Sequence, residues 1–396
     1  MVSVVIRSGR EKSIFRRHPW IYSGSILRMD GEPKILGETV KVISHEGSFL
    51  AWGAISPFSQ IRVRLWSFDE DEEISPSFFL KRIERAIKAR RSIMDRHDIT
   101  ALRLINGESD GLPGLIVDLY GKFLVCQFLS AGAEFWKTTI VEKLNEVLQV
   151  DGIYERSDTD EREKEGFPKQ KGLLKGIDPP DLIEIREGDC LFLVDIKKGQ
   201  KTGFYIDQRE NRALLSEYSS GAEVLNCFSY TGAFCVFAMK GGASKVVNVE
   251  SSAQFIKIAC MNLDLNGIDR SRVENVEGNV FHVMRDFWKS GRSFDIVVLD
   301  PPKFVESRSH LKKAARGYKD INLLAFRLLR PGGLLFTFSC SGLMPPELFS
   351  KIVADAAIDA GREGLIIKRL HQGIDHPVSL YFPEGAYLKG LVCRVD

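Results

Sequence analysis

Four short stretches of this 396-residue chain carry residue types that could do chemistry together. In Phe338-Ser-Cys-Ser-Gly342 a single thiol, Cys340, stands between two hydroxyls at the end of an apolar run. A thiolate is a soft nucleophile suited to covalent catalysis, whereas neither Ser339 nor Ser341 ionises readily at neutral pH. In Asp300-Pro-Pro-Lys-Phe304 a carboxylate follows the apolar run Ile296–Leu299. Its two prolines fix φ and remove two N–H donors, so Asp300 would stand on a rigid ledge able to hold a flat base edge. Glu250 closes the run Val246–Val249, about 20 residues after Gly232, which is the offset at which nucleotide folds hold ribose hydroxyls. The fourth stretch, Asn226-Cys-Phe-Ser-Tyr-Thr-Gly232, has one glycine. It lets the backbone approach a ligand, but it is no G-x-G-x-x-G cradle, which disfavours a pyrophosphate and hence NAD. Glu277-Gly-Asn-Val280 falls where an adenine-contacting turn is expected.

These stretches need strand tips to carry them. From about residue 190 the pattern alternates strand and helix. Val224–Cys227, Val246–Val249, Ile296–Leu299 and Leu334–Phe338 read as buried strands, with helices near 252–266, 310–329 and 345–360. Such β-α units predict a parallel, doubly wound α/β sheet, whose ligand lies at the carboxyl ends of its strands. Tyr387–Val395 reads as a last antiparallel edge strand.

Upstream, Val40–Ile43, Phe49–Trp52 and Ile61–Trp66 are separated by Gly, Pro and Ser, the pattern of a small β-barrel. The acidic run Asp69–Glu73 reads as a solvated linker. A helix over 77–98 would bury Phe79, Ile83, Ile87 and Met94, with Lys81, Arg82, Arg85, Lys88 and Arg91 on its other side. Strands over 114–119 and 122–129 and a helix near 134–148 follow, and the charge-dense segment 155–165 reads as a loop.

Net charge is only +2, so no global basic field marks a nucleic-acid binder. Positive charge is instead concentrated near the N-terminus, where Arg7, Arg10, Lys12, Arg16 and Arg17 outweigh Glu11, and on the 77–103 segment. Beside His18, Trp20 and Tyr22 it suggests phosphate binding with aromatic stacking. The 7 cysteines include no Cys-x-x-Cys pair, so no metal site is expected. An odd count without a signal peptide suits the cytoplasm, and no apolar run approaches the ~20 residues of a membrane span.

Taken together, Gly199-Gln-Lys-Thr-Gly-Phe-Tyr-Ile-Asp-Gln-Arg209, the Asn226–Gly232 turn, Asp300–Phe304, Arg316-Gly-Tyr-Lys-Asp-Ile-Asn322, Phe338–Gly342 and Pro383-Glu-Gly-Ala-Tyr-Leu-Lys-Gly390 resemble the bacterial large-subunit rRNA methyltransferase I family. These are 23S rRNA 5-methylcytosine enzymes. The Gly9-Arg-Glu-Lys…His18-Pro-Trp20 stretch is similar to that family's PUA domain. The resemblance covers nearly the whole chain. It implies a PUA β-barrel (1–75), a small central α/β domain (76–185) and a Rossmann-like class I methyltransferase domain (190–396). It also implies S-adenosylmethionine as cofactor, contacted by Phe228, Ser229, Tyr230, Gly232, Glu250, Asn279 and Asp300. Cys340 and Asp300 would be catalytic, and the partner would be 23S rRNA, naked or in a large-subunit precursor, with no membrane. A homodimer stays open. One departure stands out: related RNA 5-methylcytosine enzymes often carry a second cysteine where this chain has Lys303.

Carbon-5 of cytosine is a poor nucleophile, and a thiolate adding to carbon-6 would make it enamine-like. Two other readings stay open at this point: an exocyclic-amine methyltransferase, for which Cys340 would be idle, and a non-catalytic RNA-binding protein retaining the nucleotide fold.

Overall fold

β-branched residues alternating with polar ones build the first sheet. In β4 (Thr39–Ile43), Val40 and Val42 are buried while Thr39, Lys41 and Ile43 are only partly covered. With β1 (Ser3–Ile6), β2 (Trp20–Tyr22), β3 (Ile26–Asp30), β5 (Phe49–Ile55) and β6 (Ile61–Ser67) it forms a six-stranded sheet in the order β2-β6-β5-β4-β1-β3. The pairings are antiparallel except β1 with β4. The computed structural model describes residues 2–305 and 308–396.

A second sheet, ordered β11-β10-β9-β8-β7, is made by β7 (Ala101–Asn106), β8 (Leu115–Tyr120), β9 (Phe123–Phe128), β10 (Gly152–Ser157) and β11 (Gln170–Gly176). The basic helix in front of it starts with Pro76 at its first position and buries Phe79, Ile83 and Ile87. It stops at Ala89, short of the expected 98. Arg90 turns inward, donates to both Asp110 oxygens at 2.7 and 2.8 Å, and is almost fully buried.

The acidic run is the mostly exposed connection that follows β6, as expected, with Glu70 on Lys41 (2.7 Å) and Glu72 on Arg82 (2.8 Å). One other expectation is corrected. Segment 155–165 is the end of β10 and a helix, Asp160–Lys164. Asp160, Glu161, Glu163 and Lys164 stay exposed, while Glu155, Arg156 and Arg162 are buried with partners. Glu155 meets Lys137 at 2.9 Å, Arg162 meets Glu134 at 2.7 Å, and Arg156 donates to the Ile196 and Gly199 carbonyls. These two sheets belong to one compact unit, the chain through Arg186 with 194–206 and 375–385.

A short hairpin of β12 (Ile183–Glu187) and β13 (Cys190–Val194) comes next. The second unit comprises 187–193, 207–374 and 386–396. Its seven strands are β14 (Glu223–Cys227), β15 (Lys245–Glu250), β16 (Val273–Glu277), β17 (Phe294–Leu299), β18 (Leu329–Ser339), β19 (Gly364–Leu370) and β20 (Lys389–Val395). They lie in the order β16-β15-β14-β17-β18-β20-β19. The first five run parallel, and β20 is antiparallel to both neighbours. The expected edge strand is therefore interior. Leu391, Val392, Cys393 and Val395 are buried, and the edge is β19, exposed along nearly all its length. Among the described residues no helix is long and apolar enough to cross a membrane.

Candidate active site

Strand order reverses between β14 and β17, so the crevice of this sheet opens beside the tip of β14. The chain leaves that tip in a strained loop. Phe228 and Tyr230 have φ of +58° and +47°, and Gly232 has +79° before the helix Ala233–Lys240 begins. Left-handed backbone at a non-glycine residue costs roughly 1–2 kcal/mol, so something must hold it. The Ser229 N–H donates to the Val249 carbonyl (3.1 Å), the Gly232 N–H to the Ser229 carbonyl (2.8 Å), and the Tyr230 N–H to Glu250 Oε2 (2.9 Å).

Glu250 ends β15 and is 8% exposed. Its Oε1 accepts from the N–H groups of Ser251 (2.8 Å) and Ser252 (3.0 Å) and from Ser251 Oγ (3.2 Å). A carboxylate offers about four acceptor positions. Among the described residues Oε1 accepts three donors and Oε2 one, so Oε2 keeps acceptor capacity for a ligand hydroxyl. The carboxylate serves first as the clasp of the loop. Nearby, Ser229 Oγ and Thr231 Oγ1 are buried without a hydrogen-bond partner among the described residues. A loop that combines a clasped carboxylate with unsatisfied hydroxyls fits a polar ligand such as an adenosyl amino acid. The Gly278 N–H donates to the Glu250 carbonyl (2.9 Å), which draws the turn after β16 to the same place. Asn279 Oδ1 caps the helix Val280–Lys289 through the Phe281 N–H at 3.0 Å.

Asp300 and Cys340 follow the tips of the paired strands β17 and β18, and both are half-buried. Cys340 Sγ lies 3.9 Å from the Pro301 carbonyl, so the thiol sits against the proline ledge. Its neighbours are engaged. Ser339 Oγ donates to Tyr318 Oη (2.9 Å), and Ser341 Oγ accepts from the Val305 N–H (3.4 Å). Environment separates Cys340 from most of the other thiols. Burial pushes Cys126 and Cys227 far above the usual thiol range, Cys190 up to about 11, and Cys235 and Cys393 up to about 12. Cys260 is half-buried but lies within the helix Ala253–Leu265. Lys303, in the slot of a second cysteine, is exposed.

Sequence reasoning missed two features. Asn226, Asn248 and Asn275 form an amide ladder across β14, β15 and β16, with Nδ2 to Oδ1 distances of 2.9 and 3.0 Å. An Asn within each of two largely apolar runs, Val224–Cys227 and Val246–Val249, was the available signal. Lys389 is buried beside Ser341, and it stands inside the quoted Pro383–Gly390 stretch without a role having been assigned.

In the first unit the aromatic expectation is corrected. Trp20 packs on Phe382 with ring centroids 4.7 Å apart and donates to Glu108 at 2.8 Å, while His18 meets Glu384 at 3.3 Å. Tyr22 stays exposed. Arg82 and Arg85 are occupied by Glu72 and the Asp110 carbonyl. Arg16, Arg17, Lys81 and Lys88 are exposed and make no ion pair among the described residues.

A family model described as S-adenosylmethionine-dependent methyltransferase matches residues 172–377, and one described as a PUA-like domain matches 4–68. The chain is 50% identical over 393 residues to the ribosomal RNA large subunit methyltransferase I of Aeromonas salmonicida, covering 99% of each. It is 50% identical over 394 residues to the protein of the same name from Escherichia coli O139:H28, covering 100% of this chain and 99% of that one. A solved SAM-dependent methyltransferase structure from Streptococcus mutans superposes with a TM-score of 0.86 at 22% identity over the full length of both chains, a likeness of fold.

Burial predicts a selective thiol chemistry. Brief treatment of the folded protein with iodoacetamide near pH 7.5 should alkylate Cys340 and Cys260 and spare the other cysteines, because only a thiolate that solvent reaches reacts. Peptide mass spectrometry reads this directly. Fast modification of Cys227 would contradict the burial described above.

Proposed function

The chain belongs to the ribosomal RNA large subunit methyltransferase I family, and from that premise we propose that it methylates carbon-5 of a cytosine in 23S rRNA through a covalent adduct with Cys340. It is an S-adenosylmethionine-dependent rRNA methyltransferase with an N-terminal PUA-like domain. The observation that carries the finer reading is the half-buried thiol at the tip of β18, against the ledge that follows Asp300. An exocyclic-amine methyltransferase has no use for it.

When bound, S-adenosylmethionine supplies an electrophilic methyl group. In this reading Phe228, Ser229, Tyr230, Gly232, Glu250 and Asn279 would hold it, Glu250 as a ribose acceptor and Ser229 and Thr231 through their buried hydroxyls. Asp300 borders both cofactor and base and accepts from the amine edge of the cytosine. The Cys340 thiolate forms an S–C6 bond, and the C5=C6 π pair moves to carbon-5. Carbon-5 takes the methyl group as the methyl–sulfonium bond breaks. Loss of the C5 proton to a base then restores the double bond and expels the thiolate. The domain limits 1–75, 76–185 and 190–396 and a cytoplasmic location belong to the same reading.

Replacing Cys340 by Ser should leave S-adenosylmethionine affinity intact and abolish methyl transfer. RNA carrying 5-fluorocytosine at the target should trap the wild type as an adduct that survives denaturing electrophoresis, because fluorine cannot leave as a proton does. The variant should form none. Methylation by the serine variant at the wild-type rate would move the reading to an exocyclic amine.

Glu250→Ala removes a ribose acceptor and the clasp of the strained loop together. It should weaken S-adenosylmethionine binding by roughly 1–3 kcal/mol in calorimetry. Unchanged affinity in a folded variant would take Glu250 out of the site.

RNA affinity should depend on the unpaired basic surface. Neutralising Arg16, Arg17, Lys81 and Lys88 should lower the log–log salt slope by about 0.7 per lost single-strand phosphate contact, with cofactor affinity unchanged. An unaltered slope would mean that these side chains are solvated only.

A further inference from the structure

The mechanism above leaves one buried charge beside the reacting thiol unused. In the antiparallel pairing of β18 with β20, Lys389 stands opposite Ser339, the residue before Cys340. Its side chain is buried, and its Nζ donates to the Ser341 carbonyl at 2.7 Å and the Tyr387 carbonyl at 2.6 Å. Lys389 thus grips the backbone on the far side of Cys340, while Tyr318 grips Ser339 on the near side. Among the described residues Lys389 forms no ion pair with a carboxylate. A buried ammonium without a counter-charge is costly, and two carbonyls satisfy only two of its three N–H groups.

We infer that Lys389 is a positioning residue that favours the thiolate form of Cys340 and fixes the backbone carrying it. The inference rests on the reading of Cys340 as the nucleophile. Burial draws Lys389 down to about 8, and a negative charge on Cys340 pushes it back up, so the two groups are each other's electrostatic partners. At pH 7 a lysine with that value is still mostly an ammonium, in a ratio of about 10 to 1. Among the other described groups near Cys340, Tyr318 is a buried phenol raised above its ordinary range and so neutral, Asp300 at the adjacent tip opposes a second negative charge, and Lys303 is an exposed side chain. An ammonium held by carbonyls, rather than by a carboxylate, keeps its charge available to the thiol.

The test uses the full-length protein. Alkylation of Cys340 by iodoacetamide is followed by peptide mass spectrometry from pH 5 to 10 in the wild type, Lys389→Met and Lys389→Arg. The midpoint should rise by about one pH unit in the methionine variant and stay near the wild-type value in the arginine variant. A wild-type midpoint in a folded Lys389→Met protein that still binds S-adenosylmethionine overturns the inference. Should that variant fail to fold, the coupling is read in reverse. In Cys340→Ser the ε-carbon resonance of Lys389 should titrate at lower pH than in the wild type, and an unmoved titration overturns the inference equally. Failure of the underlying reading looks different, because Cys340→Ser would then methylate normally whatever the alkylation profile shows.

Discussion

The site depends on a topological constraint, the reversal of strand order between β14 and β17. On one side of it the chain steps outward through β15 and β16, on the other through β17 and β18. Successive helices therefore leave to opposite faces, and the carboxyl ends beside the reversal stay uncovered. Every motif in question lies at one of those ends. The Glu250 carboxylate shapes this open edge by holding the N–H of Tyr230, one of the loop's two left-handed non-glycine residues. A loop with several positive φ values is costly unless its amides are satisfied, and the same carboxylate that satisfies one of them faces the crevice.

On the other side of the reversal, reactivity is a matter of environment. Most thiols in this chain are sealed in apolar surroundings that suppress their ionisation. Cys340 is only half-buried, because β18 ends before it, and its thiol lies against the Pro301 carbonyl. The flanking serines are tied down, so the segment after β18 is held although it is no longer in the sheet. In the proposed mechanism a nucleophile needs exposure to the base and a fixed position, and a strand tip can supply both.

Much of this was legible in the sequence. The central parallel strands are buried on both faces and read as largely apolar runs, and Asp300-Pro-Pro and Ser-Cys-Ser mark the ends of two of them. What escaped reading was set by partners distant in the chain. Glu155, Arg162 and Arg156 are interior where Lys137, Glu134 and the carbonyls of 196 and 199 reach them. Trp20 looks like a stacking platform until Phe382 covers it. The last strand looked like an edge because nothing in 364–370, with its exposed mixture of apolar and basic residues, announces a strand outside it. Local pattern encodes element type well, but pairing between residues hundreds apart leaves no local trace.

The asparagine ladder connects pattern to site. Asn226, Asn248 and Asn275 lie in register on three parallel strands, one or two residues short of their ends. A slip of one residue at any of these strands would leave buried amides unpaired and turn apolar side chains to the wrong face, at a cost of roughly 1–3 kcal/mol for each unsatisfied group. The ladder therefore selects the one register in which Glu250 falls opposite Glu277 and one position beyond Val249, whose carbonyl receives the Ser229 N–H. With the strands shifted, the Tyr230 amide would miss the carboxylate and the loop would lose its clasp. A polar choice inside an apolar sheet thus aligns the tips on which the chemistry stands.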